Sequence, residues 1–355
     1  MTVLSTRVLN RTYLRRQLLA ERIPRPAAEI VEHLVAVQGQ ESDSPYLGLW
    51  ARSSDFRMEE LTGLLHDRTV VRSGLLRGTQ HLSSGADYRW LRPTLQPALE
   101  RMAGRAGRLG GCDPDAFEKA GREIIAEGVL TRPEIARRLA ARFPEADLGE
   151  LHFVVHLRFA LLHPPPAGTW GHRGRIGCVL AEDWLGGPLA EADAETLVLR
   201  YLAAFGPASV KDVQVWSGLT RLAALMKELR PRLRVFRDEK GIELYDLPDA
   251  PIDDEDRPAP VVFLPEFDNA VLGHADRSRI LHPDDRRLVM PGWSIVRPTV
   301  LVDGFAAATW ERKGARIEIS SFRPVASADR SEVEAEAARL IGFVAPGSEP
   351  EIVWA

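Results

Sequence analysis

The sequence predicts a mainly helical α+β fold, made of repeated helix–helix–helix–hairpin units with a β-rich subdomain towards the C-terminus. Three observations carry that expectation. Apolar periodicity switches from helical to strand spacing within each repeat, glycine and proline punctuate the switches, and alternating or β-branched segments take over after residue 260. At 355 residues the chain exceeds one ordinary domain.

The first unit is expected at 1–110. Segments 9–20, 27–38 and 58–67 read as helices, 70–76 and 79–83 as a hairpin turning at Arg77-Gly78, and 87–105 as a further helix leading to a glycine-rich joint at 107–111. The second unit, 111–190, has a helix at 117–127, a helix opened by Thr131 with Pro133 in its first turn and Glu134 at the capping-box position, and a helix at 148–162. Its strand pair would lie in 163–184, shaped by Pro164-Pro165-Pro166 and Gly168.

The third unit, 191–250, is the clearest. Leu197, Tyr201, Leu202 and Phe205 lie at helical spacing and Gly206-Pro207 stops them; Ser209 caps 210–216, Gly218 ends it, and Thr220 caps a helix running to Leu229. Segments 234–237 and 242–247 read as a hairpin about Glu239-Lys240-Gly241. Three helices and a hairpin are the winged-helix plan, a helix-turn-helix with a β wing. The remaining subdomain, 251–355, opens with an acidic, proline-containing connector. Strands at 261–264, 295–302, 306–312 and 315–321 follow, with Asp303-Gly304 as a hairpin turn, and then a helix at 331–342. Most winged helices bind DNA and some bind proteins, so the fold alone does not choose a function.

Composition narrows the classes. Hydrophobic content of 45% and charged content of 27% are those of a globular protein. No apolar run reaches the roughly 18 residues of a membrane span, and MTVLSTRVLNRTYLRRQ lacks the apolar core of a secretory leader. Cys112 and Cys178 stand far apart without a CxxC, which points to a reducing, cytoplasmic setting and away from structural zinc. No cofactor or metal is expected: His152 and His156 have metal-ligand spacing but no third ligand, and read as packing. The net charge of −4 gives no basic footprint, although arginines crowd the first 110 residues and could form a local basic face or simply a solvated surface.

The segment where chemistry could sit is Gln38-Gly39-Gln40. Ile30, Leu34 and Val37 form an apolar stripe, and Gly39 is where the helix should end. A break there would let both amides converge on one cavity, walled by Pro45, Tyr46 and Trp50. From the residues alone, a helix C-cap with two solvated glutamines is the commoner outcome. Thr79 and His81, two apart on the predicted hairpin, share a face. His274, Asp276, Arg277 and Asp268 read as structural, with Asp276 pairing Arg277 and Asp268 capping a helix.

Several stretches in combination resemble one family. VQGQESDSPYLGLWARSSDF, DRTVVRSGLLRGTQHLSS, DYRWLRPTLQP, LPEFDNAVLGHADRSRIL and TVLVDGFAAATWER resemble the signature segments of the AlkZ-like DNA glycosylases, the winged-helix family called helix-turn-helix type 42. The similarity runs from about Thr6 to about Phe343. It implies three tandem winged helices in a C-shaped arrangement around duplex DNA, and excision of N7-alkylated purines, including bulky adducts and interstrand crosslinks, in repair or in self-resistance to a genotoxic natural product. It implies Gln38 and Gln40 as the catalytic Gln-x-Gln; a sister subgroup has Asp at the second position. On the same resemblance Arg77, Thr79 and His81 contact DNA near the lesion, and 282–297, with Arg286, Arg287 and Trp293, forms a hairpin inserted against DNA. With no lysine placed for a Schiff base, cleavage without strand scission is expected. With no evident dimerisation helix, the protein is expected to act as a monomer. A non-catalytic winged-helix transcription regulator is the alternative, predicting operator protection by a dimer.

Overall fold

The computed structural model describes residues 2–106, 112–292 and 295–355. The predicted joint at 107–111 and Trp293 lie outside the described residues. The chain is α+β and mainly helical, with 45% helix and 18% strand distributed around three sheets.

The predicted third unit appears as helices Ala194–Phe205, Val210–Ser217 and Ala223–Leu229 followed by the antiparallel strands Arg234–Asp238 and Glu243–Asp246. Ser209 caps the middle helix in a reciprocal box with Asp212, and Gly218 ends it at φ 80°. The third helix starts later than expected. Arg221 takes φ 63°, which breaks the turn after Thr220, so Leu222 stands at the N-cap position. Val3–Leu4 adds to this hairpin as a parallel edge strand.

A six-stranded sheet joins the stretches expected to form the first two units. Its order is Val37–Gln38, Gln80–Ser84, Val70–Gly74, Leu161–Leu162, Gly177–Leu180 and Leu130–Thr131. The hairpin strand Val70–Gly74 is buried along its whole length because other strands and helices cover both faces. The expected helix at 148–162 stops at Arg158, and Leu161–Leu162 pairs with this sheet instead. Thr131 and Glu134 form the predicted capping box. Phe117, Ile124, Ile135, Leu139, Leu151 and Phe159 build a separate apolar core under this region.

The C-terminal sheet runs Val262–Leu264, Thr299–Val302, Phe305–Lys313, Arg316–Ser321 and Glu351–Trp354. Asp303 and Gly304, at φ 47° and 80°, make the predicted tight turn. The helix Ser327–Val344 buries Val333, Ala337, Leu340 and Ile341. Glu351–Trp354 returns parallel to Arg316–Ser321; it was not foreseen, because four residues without alternation carry no strand signal.

Many of the crowded N-terminal arginines are neither a DNA-facing surface nor a solvated one. Arg16 pairs with buried Asp246 at 3.0 Å and Arg52 with buried Asp268 at 2.8 Å, while Arg11 bonds Asp303. These pairs tie the first helices to the third unit and to the C-terminal subdomain. Asp268 also caps Asn269–Leu272, as expected, but Asp276 pairs with Lys240 and not with Arg277, whose Nε donates to the Val271 carbonyl at 3.0 Å.

Candidate functional site

The helix expected over 27–38 is shorter, Ala27–His33. Gly39 does not end it. Val35 takes the left-handed conformation at φ 66°, and the chain leaves the helix before reaching the glutamines. Val37–Gln38 is extended and pairs antiparallel with the hairpin, Val37 opposite Leu82 and Gln38 opposite His81. Extended backbone sends residues two apart to the same side, so convergence of the two amides does not depend on a helix break at Gly39.

Both amides meet the Thr79-Gln80 segment, one at a side chain and one at a backbone N–H. Gln38 is buried; its Nε2 donates to Thr79 Oγ1 at 3.3 Å and its Oε1 accepts from the Gly39 N–H at 3.2 Å. Gln40 is exposed, and its Oε1 accepts from the Gln80 N–H at 3.3 Å. Thr79 Oγ1 in turn donates to the Leu76 carbonyl at 3.1 Å. The structure therefore brings Gln38, Gln40 and Thr79 together.

His81 belongs to the same strand but points inward and is fully buried. Its Nδ1 donates to the Thr79 carbonyl at 2.8 Å, and its Nε2 has no partner among the described residues. Burial, reinforced by Arg77, pushes the imidazole down to about 3, so it is neutral at physiological pH. A direct phosphate contact by His81 does not fit this placement; support of the strand beneath Thr79 does. Arg77 is likewise turned inward, donating to the Trp216 carbonyl, with burial lowering it to about 10. That contact ties one nitrogen of the guanidinium, and with it the hairpin, to the third unit.

Arg72 was not foreseen. It lies in the strand Val70–Gly74, right after the apolar pair Val70-Val71, and that charge is the signal that could have found it. Its Nε and Nη2 donate to the Gly39 carbonyl at 3.2 and 3.1 Å, and burial lowers it to about 10, still protonated at neutral pH. The Gln38–Gln40 backbone is thereby held from beneath. Gly168, at φ 87°, closes over the same side chain: a Cβ there would stand 2.7 Å from Arg72 Cδ.

The segment after Gln40 is also ordered differently from expectation. Ser44–Trp50 is helical, its Pro45 in the first turn, and its aromatics pack instead of lining a loop. Tyr46 meets Trp170 edge-on at 5.6 Å, and Arg173 bonds Asp43 at 2.8 Å. A small cavity of about 10 Å³, room for about one water, is lined by Gln38, Arg52, Glu266 and Asp268. Beside it runs an open groove of about 1510 Å³ including its mouth, lined by Glu41, Leu47, Arg173, Glu266, Phe267, Ile295, Arg297, Trp310 and Arg312. The 282–297 stretch borders this groove. It is not a plain hairpin: a 3-10 turn Pro283–Asp285 leads into the helix Arg286–Val289, and Gly292 bridges Ile295. Arg286 and Arg287 are exposed, with Leu288 and Ile295 exposed beside them.

The fold superposes on the solved DNA glycosylase AlkZ of Streptomyces sahachiroi with a TM-score of 0.81, over 100% of each chain, at 22% identity. The chain belongs to the AlkZ-like DNA glycosylase family, whose model matches residues 31–343. A relative from Streptomyces sahachiroi, named an interstrand DNA cross-link repair glycosylase, is 26% identical across 92% of this chain and 93% of its own length.

Proposed function

We propose that this DNA glycosylase hydrolyses the N-glycosidic bond of N7-alkylated purines in duplex DNA, including bulky adducts and interstrand crosslinks, and leaves the strand uncut. The observation that carries the reading is the anchoring of both Gln38 and Gln40 amides on Thr79-Gln80, beside a groove open enough to admit an adducted base. The name of the relative, a cross-link repair glycosylase, agrees with it.

N-glycosidic cleavage builds positive charge on the deoxyribose. An N7-alkylguanine is already cationic, so it leaves without protonation. The site must then orient a water and favour the oxocarbenium ion. Gln40, exposed and fixed by the Gln80 N–H, presents its amide to the water; Gln38, held by Thr79, positions the sugar side. Among the described residues no lysine lines the groove, which favours hydrolysis over a Schiff base.

The reading places three winged-helix units at 1–110, 111–190 and 191–250 in a C-shaped clamp, with the subdomain 251–355 supplying the groove's far wall. The chain acts as a monomer. Arg286 and Arg287, exposed next to apolar Leu288 and Ile295, hold the duplex at the groove's edge. The test is incubation with duplex carrying 7-methylguanine or a crosslink, then alkali to reveal abasic sites. Gln38→Ala with Gln40→Ala should abolish release while DNA affinity persists; no release by the unaltered protein from any N7-alkyl lesion overturns the reading.

A further inference from the structure

We propose that Glu266 is the general base of the excision reaction, taking a proton from the attacking water while the two glutamines hold that water and the sugar. This rests on the glycosylase reading above. Glu266 lies between strand Val262–Leu264 and helix Asn269–Leu272, and it lines both the cavity that contains Gln38 and the groove beside it. A carboxyl at that junction stands where a base entering by the groove meets the Gln38 side of the site.

The loop that carries it is rigidly held. Phe267 sits at φ 60° with its N–H on the Val296 carbonyl at 3.3 Å, and Asp268 is clamped by Arg52 at 2.8 and 2.9 Å. Backbone strain of this kind persists only where the surroundings over-determine it, and it concentrates at functional sites.

The charged groups around Glu266 come from several elements. Glu41 and Asp43 follow the glutamines, Glu311 and Arg312 lie on strand Phe305–Lys313, and Arg173, Arg297, Arg52 and Asp268 complete the lining. The cations are engaged elsewhere: Arg52 with Asp268, Arg173 with Asp43, Arg297 with the Leu288 carbonyl at 3.3 Å, and Arg312 with the Gly314 carbonyl and over Trp170. Burial first, then Glu41 and Glu311, raise the Glu266 carboxyl above its ordinary range, and neither a hydrogen bond nor a cation offsets them. A carboxylate so placed is a stronger base than an exposed one.

The step balances without a further reactant. As the water oxygen bonds C1′, its proton passes to the Glu266 carboxylate, and the C1′–N9 pair leaves with the cationic purine, which departs neutral. The negative carboxylate also supplies the charge complement that two neutral amides lack.

The experiment measures single-turnover release of 7-methylguanine from duplex DNA between pH 5 and 9, with DNA affinity and melting temperature, for the full chain and for Glu266→Gln and Glu266→Asp. The expected result for Glu266→Gln is a loss of about 100-fold at neutral pH, with affinity kept and the acid limb of the profile gone. Glu266→Asp should keep an acid limb, moved to lower pH, and recover part of the rate. A Glu266→Gln protein that releases base within about 3-fold of the parent, or slowly but with the parent's acid limb, overturns the proposal. Should Glu266→Gln fail to fold, an acid limb unmoved in Glu266→Asp does the same. Loss of release by Gln38→Ala with full release by Glu266→Gln would sink this inference and leave the glycosylase reading standing; no release by the parent would sink that reading itself.

Discussion

Gln38 and Thr79 are joined side chain to side chain, the amide nitrogen donating to the hydroxyl at 3.3 Å while the amide oxygen faces the Gly39 N–H at 3.2 Å. The hairpin strand thus sets which end of the Gln38 amide points where. Thr79→Val keeps the shape and removes the acceptor. We expect it to slow excision by about 10-fold, the worth of one neutral hydrogen bond, with Thr79→Ser near the parent rate and DNA affinity unchanged in both. Single-turnover release and a binding titration check this.

Arg72 holds the Gly39 carbonyl with two donors in a buried setting. Arg72→Met should destabilise the fold by about 2–4 kcal/mol, because the carbonyl loses its partners and none can enter. Arg72→Lys should recover little, since an ammonium lacks the forked geometry. Denaturant unfolding measures both, and excision should fall in each variant that still folds.

Arg52 and Asp268 form a bidentate buried pair that ties the helix Ser44–Trp50 region to the loop beneath Glu266. Asp268→Asn strands a buried cation. The expected cost is about 3–5 kcal/mol, read as a fall in unfolding midpoint.

His81 and His163 are each pushed down to about 3 and His156 to about 4, in every case by burial first. Their folded-state values lie below the unfolded value of about 6.5, so the unfolded chain binds more protons as pH falls. Stability is therefore full above about pH 6.5 and declines below it, by about 1.4 kcal/mol per pH unit for each histidine until the folded value is reached. Melting temperature should drop steeply between pH 6 and 4, and the drop should be shallower in His163→Gln.

Glu266 is raised above its ordinary value by burial and by Glu41 and Glu311. Its ionisation at neutral pH thus works against the fold, and the penalty vanishes below its unfolded value of about 4.3, where both states are protonated. Glu266→Gln should raise the melting temperature at pH 7 and leave it unchanged near pH 4. A fall at pH 7 would show that the carboxylate is a structural partner.

The helix Pro114–Ile125, the Thr131–Glu134 box and the Ser209–Gly218 helix were legible because caps, breakers and apolar spacing act within one turn of the chain. The Gln-x-Gln motif was legible as a candidate, but its local reading was wrong in mechanism: the backbone there is paired strand, and Val35 ends the helix. Nothing local separates those outcomes, since Val37–Gln38 is extended only because Gln80–Ser84 lies beside it. The resemblance gave His81 a contact with DNA, yet its side chain is buried, because a strand's period sorts residues between two faces without saying which one is covered.

Chain-local chemistry determined the element types, the caps and turns, and the pair of glutamines able to serve a base that leaves already charged. Tertiary packing alone decided that Thr79, Gln80 and Arg72 hold those glutamines, that His81 is a neutral support, and that Glu266, more than 220 residues further on, lines the same small cavity as Gln38. The division follows from range. Propensity and capping are fixed by neighbours in sequence, whereas burial, desolvation and the choice of hydrogen-bond partner exist only once distant segments exclude water from each other.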